Sequence, residues 1–552
     1  MSTSSVSEPV LLSGDRLVIP DCISFNAVPH TTRIFRDYLS YAPAIRRFYP
    51  TAPEPKAIAD FASSVKRDAS RQAKVADALE RQNRAWGASE ATLRNIARLR
   101  NGAFAVVTGQ QVGLFGGPLL ALLKVASALA LAKQLDAAGV ECVPVFWLAS
   151  EDHDLEEVNQ AVLLTHEFEQ ASFKAPIQGT EGAPVATIRF GEGTHELVAQ
   201  AADLLGESFA ADYLRESYVE GETFSNAYAK LYARIFGEHG LILLDPADAE
   251  LHRIAVPLFS DAVRRVSELA QALLARNREL QAGSYHQQVK VTNETTPLFG
   301  LIDGVRLPIH RSNGGFKLGR ESFSSEELLR RIESAPEQFN ANVLMRPVLQ
   351  DYWLPTLAYV GGPAEVAYFA QVEVVYEKLL GRVTPIVSRM SASIVEPRIE
   401  RLLLKYKVQL PELFHGEYEL RDCLAAHSLP PELRHKFEEA RMAVQNAMRG
   451  VSQSLETLDP TLVEAATRAT NKMQFQVNRL EKRAAKAELR RSEIIGRHAA
   501  QIENSLYPHK TLQERVIGGL YFYAKYGPPV IDQLIQLARA RCPEHKVLIL
   551  GS

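Results

Sequence analysis

The chain contains 552 residues, of which 46% are hydrophobic, and it carries a formal net charge of −3 at pH 7. This near balance of charge argues against a general nucleic-acid binder or an anionic-membrane binder, because both classes show a basic excess or patch. No uninterrupted apolar run approaches the roughly 20 residues of a membrane span, and the start MSTSSVSEP lacks the features of a secretory signal. We therefore expect a soluble cytoplasmic protein without a membrane partner.

The length is sufficient for two or three domains, each with its own core. The four cysteines, Cys22, Cys142, Cys423 and Cys542, show no C-x-x-C spacing. This distribution predicts reduced structural thiols rather than a zinc site, a disulfide framework or a catalytic cysteine. We likewise predict no metal site made by the protein alone.

The first hundred residues contain little that points to a site. Residues 1 to about 30 are predicted to be irregular, and residues 31–50 form an aromatic amphipathic segment. Residues 54–100 are rich in helix formers, with a break near Gly87. We expect this helical region to pack against the outside of a core sheet.

A strand-helix-strand unit follows, and the rest of the chain is organised around it. The sequence FAVVTGQQVGLFGGP begins at Phe104, continues into the apolar run LLALLKVASALALAKQL and is followed by a second apolar run, VPVFWL. Helix-length spacing between the two strands predicts a parallel sheet. In such sheets, ligands bind at the carboxyl ends of the strands, beside the amino ends of the following helices.

The glycine-rich turn after the first strand has two interpretations. Gly109, Gly113, Gly116 and Gly117 would let a ligand approach the main chain, and Pro118 suits the first turn of a helix whose free N–H groups attract an anion. The alternative is a tight strand-to-helix turn without a ligand, and the glycines alone do not decide between the two. Neither G-x-x-x-x-G-K-[ST] nor G-x-G-x-x-G is present here.

Lys124 favours the anion-binding interpretation. The helix that follows Pro118 is apolar on nearly every side, so a lysine within it would be desolvated at a cost unless it met an anion. We therefore expect its ammonium group to point into the crevice. A lysine whose stem packs on the sheet while its head reaches solvent is the common alternative.

A second polar cluster, Glu151 to Asp154, follows the strand VPVFWL. Three carboxylates around His153 could orient a general base or hold a cation. The alternative is a polar loop in which Asp154 caps a helix that begins with Glu156 and Glu157. One histidine with adjacent acids lacks the spaced ligands of a divalent metal site.

The next regions are predicted to contain two insertions in the parallel sheet. Residues 160–220 mix short strand-like pieces with glycine-rich turns. After a helix and the strand LILLDP, a long helix covers residues 249–281. Residues 282–340 alternate like antiparallel strands joined by tight turns. His286 is a candidate substrate contact there, although scattered histidines are more often structural.

The parallel pattern returns in NVLMRPVLQDYWLPTLAYVGGPAEVAYFAQ, where a strand ends in Gly361, Gly362 and a proline, as the first strand does. Two such turns in one sheet would place two helix N-termini at one crevice. Three polar residues stand just before this strand, Arg346, Gln350 and Asp351. TPIVSRMSAS supplies the expected last core strand, ending at Arg389.

Beyond Pro397 the composition changes to helix formers with few glycines, and two seams of alternating three- and four-residue spacing appear. The first seam comprises Leu433, Phe437, Ala440, Val444, Ala447, Val451, Leu455 and Leu458. The second comprises Leu462, Ala466, Ala469, Met473, Val477, Leu480, Ala484 and Ala487. They predict an antiparallel helical hairpin within a domain of residues 397–507. Residues 508–552, dense in Tyr and Leu, should fold back onto the body and end in a strand.

Four segments carry a family resemblance: TGQQVGLFGGPLLALLKVASAL, VPVFWLASEDHDLEEVN, RPVLQDYWLPTLAYVGGPAEVAYFAQ and PHKTLQERV. Together they resemble the BshC family, the cysteine-adding ligases of bacillithiol biosynthesis. The resemblance implies an α/β fold with a Rossmann-like parallel sheet core over residues 1–396, related in shape to class I aminoacyl-tRNA synthetases. It also implies two insertions and an α-helical antiparallel coiled-coil domain that forms a homodimer.

The reaction implied by the resemblance is the last step of bacillithiol synthesis, in which cysteine is joined to glucosaminyl-malate. An amide does not form readily from a free carboxylate in water, so ATP or another nucleotide, with Mg possible, is expected to activate the cysteine carboxyl. In this hypothesis Lys124 stabilises anionic charge, and His153 or Asp154 takes the proton from the amine. The residues expected to bind substrate or nucleotide are Thr108, Gln110, Gln111, Gly113, Gly116, Gly117, Glu151, Asp152, His286, Arg346, Gln350, Asp351, Gly361, Gly362, Arg389 and Ser391.

The chain departs from the class I synthetases in their signature motifs. Residues 389–393 read RMSAS where those enzymes carry KMSKS, so Ala392 replaces a lysine. The choice between an acyl-adenylate and an acyl-phosphate is therefore open. Two alternative functions are a coiled-coil scaffold that binds a nucleotide or metabolite without catalysis, and another nucleotidyltransferase-like enzyme on the same core.

Overall fold

A computed structural model describes residues 17–414, 420, 424, 429–491, 493–539 and 542–550. The strands, in chain order, are β1 (Leu17–Ile23), β2 (Phe104–Gln110), β3 (Cys142–Leu148), β4 (Gln160–Leu164), β5 (Gln170–Lys174), β6 (Ile177–Gln178), β7 (Arg189–Phe190), β8 (Ile242–Leu244), β9 (Thr295–Ile302), β10 (Val305–Ser312), β11 (Gly315–Leu318), β12 (Glu321–Phe323), β13 (Phe339–Ala341), β14 (Thr356–Gly361), β15 (Ile386–Ser388), β16 (Ala392–Val395) and β17 (His545–Leu550).

The α-helices follow the same numbering rule. They are α1 (Arg33–Leu39), α2 (Pro55–Phe61), α3 (Ala69–Ala85), α4 (Glu90–Arg100), α5 (Leu119–Ala137), α6 (Leu155–Val158), α7 (Thr194–Leu205), α8 (Phe209–Ser217), α9 (Phe224–Phe236), α10 (Ala249–Arg264), α11 (Val266–Ala282), α12 (Ser325–Ser334), α13 (Arg346–Trp353), α14 (Pro363–Leu380), α15 (Pro397–Tyr406), α16 (Leu410–Phe414), α17 (Pro431–Leu458), α18 (Leu462–Arg491), α19 (Glu493–Leu506), α20 (Gln513–Val516), α21 (Gly519–Tyr526) and α22 (Pro529–Ala538).

The core is a five-stranded sheet in the order β15-β14-β2-β3-β8, and all its neighbouring pairs are parallel. Its central strands are apolar and buried along nearly their whole length, as expected for a sheet covered on both faces. β3 and β8, which follow β2 in the chain, lie on one side of it in the sheet. β14 and β15, which come later in the chain, lie on its other side. The strand order therefore reverses between β2 and β14, and the predicted Rossmann-like fold is confirmed.

The two regions predicted as insertions differ in regularity. Residues 160–220 contain the hairpin β4–β5 and the short pair β6–β7, but also the helices α7 and α8, which the glycine-rich pattern did not reveal. The second region forms an antiparallel sheet in the order β12-β11-β10-β9-β13. Residues 285–291 (YHQQVKV), at the start of the stretch predicted to alternate like strands, do not form a strand. The helix predicted over 249–281 is divided into α10 and α11 at Arg265.

The two ends of the described chain meet in a separate small sheet. β1 pairs antiparallel with β17, and β17 pairs parallel with β16. The prediction of irregular structure through residue 30 is therefore wrong for β1, because its pairing partner lies more than 500 residues away and leaves no local pattern. Cys22 and Cys542 are joined by a disulfide, which corrects the thiol prediction for that pair. Cys142 is a free, buried thiol, and Cys423 lies outside the described residues.

α17 and α18 form the predicted antiparallel hairpin. Phe437, Ala440, Val444 and Leu455 lie half-buried in α17, but several other members of the two predicted seams are exposed. Among the described side chains of the hairpin, the large apolar residues that are exposed include Leu433, Met442, Val451, Leu458, Leu462, Met473, Phe475 and Leu480. Part of the apolar surface of the two helices is therefore not covered by their contact with each other. Across the described residues, no helix has both the length and the apolar character of a membrane span.

Candidate functional site

A cavity of about 870 Å³ opens at the point where the strand order reverses. The carboxyl ends of β2, β3 and β14 border it, and α13, β10 and the segment that contains Arg515 close its sides. Ten predicted residues line the cavity: Gln110, Gln111, Gly113, Lys124, Glu151, Asp152, His153, Arg346, Gly362 and Arg389. Nine others lie outside its lining: Thr108, Gly116, Gly117, Asp154, His286, Gln350, Asp351, Gly361 and Ser391.

Lys124 meets an anion, as its buried position requires, but the anion belongs to the protein. Its Nζ lies 2.6 Å from Oε2 of Glu365 and donates to the carbonyl oxygen of Gly109 at 2.7 Å. Burial lowers the pKa of Lys124, while the charge of Glu365 opposes this shift. Although burial favours the neutral acid, Lys124 and the other donors to Glu365 lower the pKa of that carboxyl. The pair is therefore an internal salt bridge that links α5 to α14.

Glu365 also occupies the N-terminus of α14, where the second glycine turn was predicted to cradle an anion. Its Oε2 accepts the N–H of Gly362 at 2.6 Å, and its Oε1 accepts the hydroxyl of Tyr359 at 2.5 Å. This is the reach of a glutamate at the third helical position back to the cap residue. A carboxylate from within the helix thus takes the position predicted for a ligand.

The first glycine turn is closed in a different way. Gly116 donates its N–H to the hydroxyl of Tyr218 at 3.0 Å and accepts the hydroxyl of Tyr232 at 2.9 Å. The N–H of Leu119, at the start of α5, donates to the carbonyl oxygen of Ile517 at 2.8 Å. The apex of the turn is thus sealed by the C-terminal segment and by tyrosines. Of the four glycines and the proline assigned to this turn, Gly109, Gly113 and Pro118 line the cavity.

Arg346 supplies positive charge that no acid of the described residues neutralises by an ion pair. It stands at the start of α13, with its guanidinium 5.6 Å from the ring centre of Trp147 and 5.1 Å from that of Tyr359. The guanidinium group donates to Oε1 of Gln350 at 3.2 Å and to the hydroxyl oxygen of Tyr368 at 3.1 Å. The aromatic rings and these two bonds fix the guanidinium, whose remaining donors are available to an anion.

Arg389 also lines the cavity, but its charge is compensated. Its two terminal nitrogens contact both carboxylate oxygens of Glu514, at 3.1 Å and 2.6 Å. Ser391 donates to the same carboxylate at 3.0 Å and contacts Nδ1 of His545 at 2.8 Å. Ser391 is therefore part of a buried network behind the cavity and does not reach a ligand. Arg515, beside Glu514, is exposed at the cavity wall.

Glu151 forms the acidic side of the cavity with Asp152. Its Oε1 lies 2.8 Å from Nε2 of His252 and accepts Nδ2 of Asn340 at 2.7 Å. Burial would lower the pKa of His252, but the bond and charge of Glu151 raise it above its ordinary value. His252 comes from α10, far from the strand end in sequence, and nothing in the sequence pattern indicated this contact.

His153 is held by an arginine rather than by the neighbouring carboxylates alone. Arg306 from β10 donates to Nδ1 of His153 at 3.1 Å and lies 3.4 Å from Oδ1 of Asp152. Arginine can only donate, so Nδ1 must accept and the proton of the neutral ring is on Nε2. This bond uses the lone pair that the predicted general base would need, so His153 faces the cavity as a donor.

Asp154 is a helix cap, as the structural alternative held. Its side chain accepts the N–H of Glu157 at 3.4 Å at the start of α6. Because this bond turns the carboxylate towards the helix, Asp154 does not line the cavity, and the prediction that it takes a proton from the amine is not supported by its position.

Three further predicted residues hold the framework. Thr108 donates to the carbonyl oxygen of Val360 and so joins β2 to β14. Gln350 is buried behind Arg346 and donates to Oδ1 of Asp351. Asp351 lies 3.8 Å from Arg382 on the far side. Each side chain is used by the protein itself.

His286, in the second insertion, is exposed and contacts Gln288. It does not line the cavity, although Val289 of the same stretch does.

Sequence reasoning missed Glu365, Arg306, His252, Glu514 and Arg515. Glu365 had a detectable signal, since it follows the cap residue Gly362 by three positions. The others come from distant elements. Within the part of the chain that the structure describes, no group of three or more His, Cys, Asp or Glu side chains is placed to hold a metal ion.

Two family models match consecutive parts of the chain. Residues 20–390 match the model described as "Bacillithiol biosynthesis BshC, N-terminal Rossmann-like domain", and residues 392–550 match "Bacillithiol biosynthesis BshC, C-terminal coiled-coil domain". Similar relatives include proteins named "Putative cysteine ligase BshC". That of Koribacter versatilis is 52% identical over 96% of this chain and 100% of the relative. Those of Solibacter usitatus and Bacillus cytotoxicus are 33% and 29% identical, over 96% and 85% of this chain and 99% and 89% of the relatives.

Proposed function

The chain belongs to the BshC family of bacillithiol biosynthesis, and on that premise we propose that it is a ligase joining the carboxylate of cysteine to the amino group of glucosaminyl-malate. The observation that carries this proposal is the charge distribution in the cavity at the strand reversal. Arg346 and Arg515 offer positive charge without an acidic ion-pair partner in the described residues, and Glu151 with Asp152 offers negative charge. Both substrates carry carboxylates and an amino group, which these two sides would bind.

A nucleotide is part of the proposed reaction, because the carboxylate of cysteine must be activated before an amine attacks it. The helix N-termini are poor places for its phosphates. Of the first three N–H groups of α5, those of Leu119 and Ala121 are bonded to the protein, and Glu365 fills the cap of α14. Arg346 and Arg515 fit better, since guanidinium groups bind phosphate oxygens with paired donors. Mg²⁺, if required, would arrive with the nucleotide.

The roles proposed for the predicted catalytic residues follow from their contacts. Lys124, paired with Glu365, holds the two sides of the cavity together and adds positive potential near Gly109. His153, with Nδ1 bonded to Arg306, would donate from Nε2 to a substrate oxygen. Asp154 is given no part in the reaction.

Mass spectrometry of a reaction with purified protein, cysteine, glucosaminyl-malate and ATP tests the function. We expect a product with the mass of the amide, formed together with either AMP and pyrophosphate or ADP and phosphate. The first pair would establish an acyl-adenylate and the second an acyl-phosphate. Failure of the wild-type protein to form the amide with any nucleoside triphosphate would refute the proposal.

Arg346→Gln gives a sharper test of the charge distribution. We expect the KM of an anionic substrate to rise or kcat to fall, by about tenfold to a hundredfold, because a charge-assisted bond is lost. Arg276→Gln is the matched control, since Arg276 is a buried arginine that pairs with Glu373 away from the cavity. Equal effects of the two changes would show that Arg346 acts only through folding.

We also propose that the hairpin of α17 and α18 forms a homodimer. The contact between the two helices leaves several large apolar residues exposed, among them Val451, Phe475 and Leu480. A second copy of the hairpin could cover this apolar surface. Phe475→Lys with Leu480→Lys should convert a dimer into a monomer in analytical ultracentrifugation. Leu404→Lys, at an exposed leucine outside the hairpin, is the control. A wild-type monomer would refute this part of the proposal.

A further inference from the structure

Glu151 presents one free carboxylate oxygen to the cavity, and the other is firmly held. Oε1 receives His252 and Asn340, at 2.8 Å and 2.7 Å. Oε2 has no hydrogen-bond partner among the described residues, although Glu151 lines the cavity. The side chain as a whole is 10% exposed, so its orientation is fixed by the two donors rather than by solvent.

His252 must be an imidazolium ion to make both of its contacts. Its Nε2 faces the carboxylate of Glu151, and its Nδ1 lies 3.2 Å from the carbonyl oxygen of Pro336. The carbonyl oxygen of Pro336 and the carboxylate form of Glu151 only accept hydrogen bonds, so with Glu151 as a carboxylate both ring nitrogens carry a proton. His252 is 2% exposed, which places this positive charge directly behind Glu151 in the cavity wall.

The other charges near this pair come from several elements. Asp245, after β8, and Arg306, on β10, act on the site by their charges, and Asp152 and His153 adjoin it in sequence. Glu337, which is not among the residues that line the cavity, also acts on His252 by its charge. Asp245 is itself bonded to the hydroxyl of Ser150 at 2.5 Å. His252 is the group among these that touches Glu151 directly and carries a positive charge.

We propose that Glu151 is the catalytic base that receives the proton of the attacking amine, and that His252 is the positioning residue whose positive charge and hydrogen bond hold and aim this carboxylate. The proposal rests on the proposed function. The neutral amine of glucosaminyl-malate attacks the carbonyl carbon of the activated cysteine, an acyl-phosphate or acyl-adenylate, and the C–N bond forms. A proton passes from nitrogen to Oε2 of Glu151. The phosphate or AMP departs with the electron pair of the broken C–O bond, and the proton later leaves for solvent.

The neighbouring candidates are less suited to this role. Nδ1 of His153 is occupied by Arg306, and Asp154 caps α6 outside the cavity. Asp152 lies 3.4 Å from Arg306 and 3.5 Å from His153, so its charge is shared with them. Glu151, by contrast, has its Oε2 free of partners in the described part of the chain, and its Oε1 is held by the imidazolium of His252.

Glu151→Gln is the first test, because the amide keeps the acceptor for His252 and Asn340 but cannot take a proton. We expect kcat for amide formation to fall by about 10² to 10⁴, the usual contribution of a general base. The KM for cysteine should change much less. Glu373→Gln is the matched control, since Glu373 is a buried, ion-paired glutamate outside the cavity lining. Wild-type-like kcat in Glu151→Gln would overturn the proposal.

His252→Gln separates positioning from mere structural support. Loss of the positive charge makes the ionised carboxylate harder to maintain, so the acid limb of the kcat–pH profile should move to higher pH, by about 1 to 3 units. A structural role would lower kcat equally at every pH. His239→Gln, at a half-buried histidine near Asp532, should leave the profile in place. An unmoved acid limb in His252→Gln would overturn the assignment.

The double variant Glu151→Gln with His252→Gln controls for folding, because it removes both charges of the pair together. We expect it to be folded by circular dichroism and as inactive as Glu151→Gln alone. Substantial activity in the folded double variant would overturn the proposal. A wild-type protein that forms no amide at all would instead show that the proposed function is wrong, so the two failures are distinguished.

Discussion

Two turns with the same Gly-Gly-Pro sequence stand on either side of the strand reversal, and they are built differently. In the first, Gly116 and Gly117 have φ angles of +83° and +72°, and the backbone is sealed by Tyr218 and the C-terminal segment. In the second, Gly362 has a φ of −87°, and Glu365 of the following helix closes the turn.

The difference shows that a shared motif need not mean a shared site. Each helix N-terminus has donors that must be satisfied, and each turn satisfies some of them with groups of the protein. The positive charge open to a ligand comes from Arg346 and Arg515, which lie outside both glycine motifs. The Lys124–Glu365 pair connects the two turns, because Lys124 also donates to Gly109 and Glu365 also accepts from Gly362.

The largest expected effect on the free energy of unfolding comes from removing the salt bridge that connects the two turns. Lys124→Met should lower the free energy of unfolding by about 3 to 5 kcal/mol, because Glu365 would remain buried without its cation. Denaturation followed by tryptophan fluorescence reports on this core, since Trp86, Trp147 and Trp353 all lie within it.

The double variant Lys124→Met with Glu365→Gln provides the matched control. It removes both charges and should recover most of the lost stability. If the double variant loses as much stability as the sum of the two single changes predicts, or more, the Lys124–Glu365 pair does not stabilise the two turns jointly.

The stability contributed by His545, which contacts Ser391 in the buried network behind the cavity, should depend on pH. Burial lowers the pKa of His545 from 6.5 to about 4, so the unfolded chain binds the proton more readily. The contribution of His545 to the free energy of unfolding is therefore complete above pH 6.5. It is lost as the pH drops towards 4, by up to about 3 kcal/mol. Urea denaturation at several pH values measures the slope, which His545→Gln should reduce. His195→Gln, at an exposed histidine, should leave the slope unchanged.

A glycine substitution should separate the two turns by their backbone requirements. Gly116→Ala should cost about 1 to 3 kcal/mol, because φ is positive and the new Cβ would lie 3.1 Å from Leu231 Cδ2. Gly362→Ala should change stability by less than about 1 kcal/mol, since its nearest neighbours, in Arg389 and Glu365, are at 3.4 Å. Thermal unfolding compares them, and equal costs would contradict the distinction.

The smallest expected effect concerns one hydrogen bond of the first turn. Tyr218→Phe removes the hydroxyl that accepts the N–H of Gly116 and should cost about 1 kcal/mol. Tyr352→Phe is the control, because its hydroxyl has no hydrogen-bond partner in the described chain. Identical melting temperatures for wild type and Tyr218→Phe would show that the turn does not rely on this tyrosine.

The sequence was informative where structure depends on local patterns. Apolar runs followed by glycine predicted the core strands, because a strand buried on both faces has few polar residues. The spacing of apolar residues likewise predicted the helical hairpin. The cap formed by Glu365 was within reach of the same reasoning, since it depends on a three-residue spacing.

The rest of the site depends on contacts that no local pattern records. Lys124 was expected to meet an anion, but its identity as Glu365 depends on β14 lying beside β2. Glu514 reaches Arg389 across 125 residues of sequence, and His252 reaches Glu151 from another element. Such contacts follow from the packing of the whole chain, so the sequence indicated that Lys124 needs an anion but not which residue supplies it.

The residues that line and support the cavity are synthesised at different times, because some of them lie in the C-terminal segment. Arg389 belongs to the part matched by the N-terminal family model, whereas Glu514, Arg515 and Ile517 belong to the part matched by the C-terminal one. A ribosome therefore exposes the five core strands long before it releases the residues that complete the cavity wall. A nascent chain that stops before Glu514 leaves Arg389 without its carboxylate partner, so this part of the cavity wall is completed only after that segment has been made.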